Sequence, residues 1–331
     1  MLESMQLLRT LARQRVQLPA LIQHIRSQIN TLTDTDHATF FRLLGELRQV
    51  HSDDLTELPK LTDVPSSLNL AVGVLLYNTT TQRDMVSDTL LNRSISIVAD
   101  SVSLKENMPQ SWNNNPELGR DLRTVRFALQ YCYPDIYQNL GESCLELLAR
   151  SALSESPSWN PNRMHPPNHR FISQVGEILF KENIDFIKYA QVGPYIVDIL
   201  ERDRKIVWEC NSESRYYSTS RRETTAHYDL KRMVLRGMGY QVVPIPYWHW
   251  YRLANRRLRS DYCRASRFLA LRDVRENNTS SSRPRDPTAF RADELSTVYM
   301  NFQGGGLFNK EVPKQNWSWH SSIGVPTRIS V

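Results

Sequence analysis

Cysteine is scarce in this sequence, and its spacing excludes two classes of protein. Four cysteines occur among 331 residues, and no two of them form a CxxC pair. Zinc ribbons and small disulfide-bonded domains need paired or regularly spaced cysteines. We therefore expect buried thiols in a reducing compartment, with no metal and no cofactor. The four residues are Cys132, Cys144, Cys210 and Cys263.

Long apolar runs are also missing. No stretch approaches the roughly 18 residues that a helix needs to cross a bilayer, so the sequence predicts no membrane span. Hydrophobic residues make up 40% of the chain and charged residues 23%, which is typical of a globular protein with a buried core. The sequence therefore favours a folded, soluble chain over a membrane protein or a disordered one.

Acidic residues are almost absent from the first thirty positions, where Glu3 is the only one before Asp34. Apolar residues such as Leu8 and Leu11 alternate there with arginines such as Arg9. An amphipathic helix that is rich in Arg and poor in acids is typical of mitochondrial targeting segments. The same pattern fits an ordinary first helix of a folded domain, and both interpretations stay open at this point.

Positive charge is concentrated in one segment. Residues 201–275 contain 17 Lys and Arg against 8 Asp and Glu, whereas the rest of the chain contains 24 against 27. The whole excess of +6 therefore comes from this segment. A localised basic field favours a polyanionic partner, most often a nucleic acid, over a merely solvated surface.

Periodicity divides the chain into four parts and predicts an α+β protein. Residues 1–153 have helical spacing and predict five to seven helices without a clear internal repeat. Residues 154–161 form a Pro-rich linker, and residues 162–272 alternate between helix and strand patterns. Residues 273–331 have loop composition, so we expect an extended tail that only an external surface can order.

The segment 162–272 has the predicted order helix, three strands, helix, strand, and one long basic helix over 248–272. Two histidines at its start, His165 and His169, have a spacing that fits a metal site. No cysteine or carboxylate lies close to them in sequence, so we expect linker histidines instead. Gly239 stands where a helix terminus favours glycine.

Two strings in this segment carry a resemblance to a known family. The first is IVWECNSESRYY, and the second is DLKRMVLRGMGYQVVPIPYWHW. Together they resemble the RAP domain, whose hallmarks are an acid at a strand end, a helix with a Lys/Arg pair, and a Gly-Tyr strand that ends in Pro-Tyr and Trp. The resemblance implies a restriction-endonuclease-like α/β fold related to the PD-(D/E)XK nucleases, and it covers about a third of the chain.

Active nucleases of that group place an Asp on one strand and a Glu-x-Lys on the next, and the acids bind divalent metals. Asp198 and Glu209 match the two acids, and Glu177 on the preceding helix is a candidate third. The Lys position, however, is Asn211, which is neutral and cannot stabilise developing charge. We therefore expect no catalytic residue and no metal, and we interpret these four positions as vestigial.

RNA binding is the remaining chemistry that the resemblance implies. Arginine suits bidentate phosphate contacts, and aromatic rings offer stacking surfaces for unpaired bases. We expect one of the two tryptophans in the YWHW run to be exposed and the other to be buried. The predicted RNA-binding residues are Arg215, Tyr216, Tyr217, Lys231, Arg232, Trp248, Trp250, Arg252, Arg256, Arg257, Arg259 and Arg264.

Helices followed by a RAP domain are also the arrangement of FAST-kinase-domain-like proteins and of parasite and algal organellar proteins. The resemblance implies work on RNA in the mitochondrial matrix. With the tail, it suggests a component of the mitochondrial ribosome or of its assembly machinery that contacts rRNA and other proteins of a large ribonucleoprotein. An active metal-dependent endonuclease on RNA or DNA and a structural protein-binding adaptor are the two alternatives.

Overall fold

The computed structural model describes residues 2–14, 16, 19–28, 32–50, 63–79, 85–103, 116–153, 168–219, 223–279, 317–320 and 325–328. The chain forms two compact units. The first unit comprises Met1–Arg163, Gln191–Tyr195 and Glu213–Met238, and the second comprises Met164–Ala190, Ile196–Ser212 and Gly239–Val331. The segment 162–272, predicted as one domain, therefore contributes residues to both units.

Helices dominate, and a four-stranded sheet lies in the C-terminal half, so the predicted α+β class is confirmed. The elements are, in chain order, α1 (Leu2–Gln14), α2 (Pro19–Arg26), α3 (Asp34–Leu47), α4 (Val64–Tyr77), α5 (Met85–Ser103), α6 (Pro116–Cys132), α7 (Pro134–Gln138), α8 (Glu142–Leu153), α9 (His169–Lys181), β1 (Phe186–Val192), β2 (Tyr195–Glu201), β3 (Ile206–Asn211), α10 (Ala226–Gly237), β4 (Gln241–Pro246), α11 (Tyr247–Arg252), α12 (Arg256–Thr279), β5 (Trp317–His320) and β6 (Val325–Arg328). No described helix is both long and apolar enough to cross a membrane.

Side-chain caps define where helices of the first unit begin. The Thr33 hydroxyl accepts a hydrogen bond from the Asp36 backbone N–H at 3.2 Å. The Asp63 carboxylate likewise accepts one from the Ser66 N–H at 3.1 Å. Each cap satisfies a backbone donor that has no partner inside its helix. Thr33 and Asp63 therefore define the residues at which α3 and α4 begin.

Two glycines let α3 and α4 approach closely. A Cβ atom at Gly45 would lie 2.9 Å from the carbonyl oxygen of Gly73, which is closer than such atoms can pack. The large apolar cluster of the first unit forms around this pair of helices, and it includes Leu75 and Leu129. Helix α10 adds three buried side chains to the same cluster, namely Ala226, Leu230 and Val234.

The first helix also belongs to a packed cluster. Met5 and Leu8 on α1 are buried together with Ile22 of α2 and Phe40 of α3. The predicted amphipathic helix at the start of the chain is thus confirmed as a helix, and its apolar face packs inside the first unit.

The second unit is built on the sheet, whose strand order is β1-β2-β3-β4. Strand β3 pairs antiparallel with β2 and parallel with β4. It lies in the middle of the sheet, and all six of its residues are buried. Ile172 of α9, Trp208 of β3 and Cys263 of α12 meet in one apolar cluster. The strands and their order match the sequence prediction.

The prediction of one long basic helix over 248–272 is wrong, because the structure divides this segment into α11 and α12. Leu253 has an extended backbone (φ −70°, ψ 104°) and ends α11. It is only 5% exposed and packs in the core of the second unit. The Asn255 side-chain oxygen then accepts a hydrogen bond from the Leu258 N–H at 2.9 Å, which caps α12. Burial of one leucine and a local cap thus outweigh the helical pattern.

Other expectations fall partly outside the described residues. The described residues of 1–153 contain eight helices, one of five residues, instead of five to seven. The linker 154–161 lies outside the described residues. Within the predicted tail, α12 continues to Thr279, and β5 pairs antiparallel with β6. The rest of the tail, and therefore its expected external contacts, also lies outside.

Candidate functional site

Asp198 is positioned by the β2–β3 ladder. Ile199 is paired with Trp208, so Asp198 and Glu209 occupy the next opposed positions, and opposed residues of an antiparallel pair share a face. The Asp198 carboxylate accepts a hydrogen bond from the Cys210 backbone N–H at 2.8 Å. The side chain thereby satisfies a donor of β3 and is only 6% exposed. The contact gives Asp198 a structural role.

Glu209 and Asn211 are buried on the same strand, at 0% and 1% exposure. The side-chain oxygen of Asn211 has no hydrogen-bond partner within the described part of the chain. An amide carries no charge, so Asn211 supplies neither the cation nor the general base that cleavage chemistry of this type requires. The neutral residue at this position therefore stays the strongest argument against catalysis.

Glu177 does not join the other two acids. It is exposed on α9, and α9 packs against the face of β3 that carries Trp208 and Cys210. Because neighbouring strand residues point to opposite faces, Glu209 points away from α9. Among the described residues, no three His, Cys, Asp or Glu side chains gather as a metal site requires. Glu177 therefore does not lie beside Glu209, as the expectation of a third acid at this site requires.

His169 and Tyr189 form a polar pair close to Asp198. The Nδ1 atom of His169 lies 2.7 Å from the Tyr189 hydroxyl. Burial raises the pKa of Tyr189 to about 12, and the negative charge of Asp198 adds to this effect. The phenol is therefore neutral at physiological pH and cannot act as a base. His169, interpreted from sequence as a linker residue, is the first residue of α9.

Four predicted RNA contacts are packing or ion-pair residues of the first unit. Tyr216, Tyr217 and Lys231 are 5%, 2% and 5% exposed. The Tyr217 hydroxyl donates to the Glu46 carbonyl and accepts from the Ala226 N–H. Arg232 pairs with Asp229 at 3.4 Å. The expectation that these four side chains contact RNA is therefore corrected, because rings and cations that protein encloses offer no free surface to RNA.

Asp229 is the centre of an ion network in the same unit. It accepts from Arg48, which follows α3, and both of its oxygens lie 2.8 Å from the Thr224 hydroxyl. Arg215 lies over the Tyr228 ring at 5.3 Å. The Asp-Leu-Lys-Arg string that carried part of the resemblance thus anchors α10 within the first unit.

The aromatic run of α11 has one ring inside the protein. Trp250 is fully buried, and its indole N–H donates to Gln174 of α9 at 2.9 Å. The Arg259 guanidinium lies 5.2 Å from the centre of its ring. Trp248 is half-buried beside Tyr247. Trp250 is therefore a core residue, as expected of one of the two, whereas Trp248 is half-buried and not exposed as the sequence led us to expect.

Two arginines of α12 hold that helix in place. Arg267 makes a bidentate contact with Glu201 of β2, with distances of 3.0 to 3.1 Å. Glu201 also accepts from the Trp208 indole at 3.0 Å. Arg264 donates to Glu182 at 2.6 Å. Although burial disfavours the Glu182 carboxylate, hydrogen bonds from Arg264 and Ser260 outweigh it and lower its pKa. Arg264 is thus already paired.

Three arginines before and at the start of α12 differ from Arg264 and Arg267 in their surroundings. Arg252, Arg256 and Arg257 are exposed, and no ion pair within 4.0 Å joins any of them to another described residue. Arg257 lies close enough to Asp261 for its charge to oppose the effect of burial on the pKa of that carboxyl group. Tyr251 beside them is 56% exposed, and sequence reasoning missed it. The buried Trp250 next to it was the available signal, since adjacent residues of a short helix point in different directions. We name these four residues, Tyr251, Arg252, Arg256 and Arg257, the arginine corner.

The comparisons with known proteins agree with the resemblance seen in the sequence. The family model of the RAP domain matches residues 208–265. The match runs from β3 through α10, β4 and α11 into α12, and it includes the arginine corner. No curated protein matches the sequence.

Proposed function

We propose that this chain, whose residues 208–265 match the family model of the RAP domain, binds RNA in mitochondria as a component of the mitochondrial ribosome or of its assembly machinery. RNA binding is what a RAP domain indicates for the family as a whole. The mitochondrial assignment draws on the helical region followed by a RAP domain, and contact with rRNA draws on the same arrangement. Both are part of the proposal.

The arginine corner is the observation that carries the RNA contact. Most other predicted arginines have partners, such as Arg264 with Glu182 and Arg232 with Asp229. Arg252, Arg256 and Arg257 keep their guanidinium groups at the surface. Phosphate binding by arginine releases counterions from the nucleic acid and needs an accessible guanidinium group. Among the described residues, Arg257 has a carboxylate close by, since its charge counteracts the burial that raises the pKa of Asp261.

We further propose that the domain binds RNA without cleaving it. Asp198 is committed to the Cys210 backbone, Glu177 lies on another surface, and Asn211 replaces the required lysine. These three features argue against the endonuclease alternative. The adaptor alternative differs in its prediction for the corner, because an adaptor has no need of three unpaired arginines there.

The binding test compares two pairs of substitutions in the full-length protein. Arg256→Ala with Arg257→Ala should weaken binding to unrelated RNAs by similar factors. It should also reduce the slope of log affinity against log salt by about 0.7–0.9 for each phosphate that the variant can no longer bind. The matched control is Arg202→Ala with Arg204→Ala, which removes the same charge from the β2–β3 turn.

The two control arginines lie at the end of the sheet opposite to the arginine corner. Strand β4 starts beside Lys205, whose carbonyl accepts from the Gln241 N–H at 2.7 Å, and it ends where α11 begins. Six residues of strand separate the two ends by about 20 Å. A corner variant that changes neither affinity nor slope would show that α12 faces a protein. Equal losses in both variants would show that only total charge matters.

Cellular location and RNA target need their own test. The endogenous protein should fractionate with mitochondria, and ultraviolet crosslinking followed by sequencing of attached RNA should recover mitochondrial rRNA. Recovery of other RNA classes alone, or a location elsewhere, would reject the ribosomal assignment and leave RNA binding by the domain intact.

A further inference from the structure

Tyr251 is the exposed aromatic ring nearest to the unpaired arginines in sequence. It is 56% exposed, and its ring centre lies 5.8 Å from that of Phe171 on α9, at an interplanar angle of 42°. Phe171 itself is buried and also contacts Trp250 at 5.7 Å. One side of the Tyr251 ring is therefore supported by the core while much of the ring is open to solvent.

The backbone around this ring is fixed from both sides. Before it, Trp250 is buried and hydrogen-bonded to Gln174. After it, Leu253 is buried in the same cluster, and Asn255 caps α12. A ring and three arginines on a fixed backbone lose less conformational freedom on binding than they would on a mobile loop.

The three arginines lie next to the ring in sequence and flank the buried Leu253. Arg252 follows Tyr251 directly, and Arg256 and Arg257 are the first two residues of α12. The amino end of a helix adds partial positive charge to that of the side chains. A single exposed tyrosine is common on protein surfaces. Its position next to Arg252 in the sequence, and within six residues of the exposed Arg256 and Arg257, is what indicates a ligand.

We propose that the arginine corner binds single-stranded RNA, with an unpaired base stacked on Tyr251 and the adjoining phosphates held by Arg252, Arg256 and Arg257. Aromatic faces bind bases only when these are unstacked from their neighbours, whereas phosphates are accessible in any RNA. A duplex hides its base faces, so it can use the arginines and not the ring. The proposal rests on the proposed function and gives it a class of RNA.

The experiment measures binding of the full-length protein to a short oligouridylate and to a duplex RNA of the same length. Tyr251→Ala should weaken binding to the single strand by about 5- to 150-fold, the effect of losing one stacked base. Tyr251→Phe should keep the parent's affinity, because the ring is retained. Duplex binding should be weaker than single-strand binding in the parent and should be unchanged by either substitution.

Phe180→Ala is the matched control. Phe180 is 73% exposed in the same unit, and it lies nine residues beyond Phe171 on α9, about 13 Å along the helix axis. Its loss should leave binding to both RNAs unchanged. Thermal unfolding of each variant checks that the fold is retained, as is expected for an exposed side chain.

The outcomes separate this inference from the function on which it rests. If the parent binds RNA but Tyr251→Ala binds the single strand as the parent does, stacking is wrong and RNA binding stands. Tighter binding of the duplex in the parent would also overturn the inference. If the parent binds neither RNA, the proposed function itself is wrong.

Discussion

Asp198 has a structural contact at a position where the nucleases that the sequence resembles carry a catalytic acid. Its carboxylate takes the place of a strand partner for the Cys210 N–H at 2.8 Å. A buried backbone donor without an acceptor costs about 1–3 kcal/mol, so this contact contributes to the stability of β3. At the scale of single residues, this hydrogen bond gives the Asp198 side chain a role in the stability of the sheet.

Substitution of Asp198 tests that explanation. Asp198→Asn keeps a side-chain oxygen for the Cys210 N–H, whereas Asp198→Ala leaves the donor unpaired. We expect Asn to cost less free energy of unfolding than Ala, by about 1 kcal/mol or more, in urea unfolding of the full chain.

The parent should show no cleavage of RNA or DNA with Mg²⁺ or Mn²⁺. Metal-dependent cleavage that either substitution abolishes would instead establish the endonuclease alternative.

At the scale of elements, α12 is a basic helix whose arginines have two different roles. Arg267 lies against the sheet and pairs with Glu201, whose side chain is 1% exposed. Arg264 pairs with Glu182, but its own side chain is 45% exposed. The first contact is enclosed by protein, and the second is in reach of solvent screening. The helix therefore docks through one arginine far more than through the other.

Removing one arginine at a time should reveal the difference. Arg267→Ala leaves the Glu201 carboxylate buried without its cation, and it should lower the free energy of unfolding by about 3–5 kcal/mol. Arg264→Ala removes a mostly solvent-exposed pair and should cost about 0–1 kcal/mol. Denaturant midpoints of the two variants measure the contrast. Equal losses would mean that the docking of α12 does not depend on the Glu201 pair.

At the scale of the whole molecule, the RAP match is distributed over both compact units. Strands β3 and β4 belong to the second unit, whereas α10 belongs to the first. Ala226, Leu230 and Val234 of α10 are buried in the same apolar cluster as helices from residues 64–148. The family match at 208–265 therefore does not delimit a part of the chain with a complete core of its own.

A fragment of residues 162–272 tests this arrangement. Without the helical region, α10 exposes the apolar side chains that it buries in the full chain. Leu230 and Val234 together lose about 3–6 kcal/mol of burial free energy. We expect the fragment to unfold at lower denaturant concentration than the full chain and to protect α10 poorly from hydrogen exchange. A fragment with the same protection of α10 as the parent would contradict the expectation.

Local patterns in the sequence were sufficient to predict the strands of the sheet and the helices beside them, except for the division of the last helix at Leu253. The strands of the second unit follow from runs of branched and aromatic residues, and the end of α10 is marked by Gly239, which has a φ of +85°. Strand alternation and helical spacing depend on neighbours within a few residues. The motif strings that indicated the RAP domain are equally local, so the amino-acid sequence by itself was also sufficient to recognise the family.

Only the tertiary structure decided which functional candidates reach the surface. Arg267 and Glu201 are 66 residues apart in the sequence, and Arg264 and Glu182 are 82 apart. Tyr217 likewise meets Glu46 across 171 residues. Such pairings depend on how distant elements pack, and no periodicity within one segment contains that information. The basic segment was therefore visible in the sequence, whereas its reduction to three unpaired arginines beside Tyr251 was not.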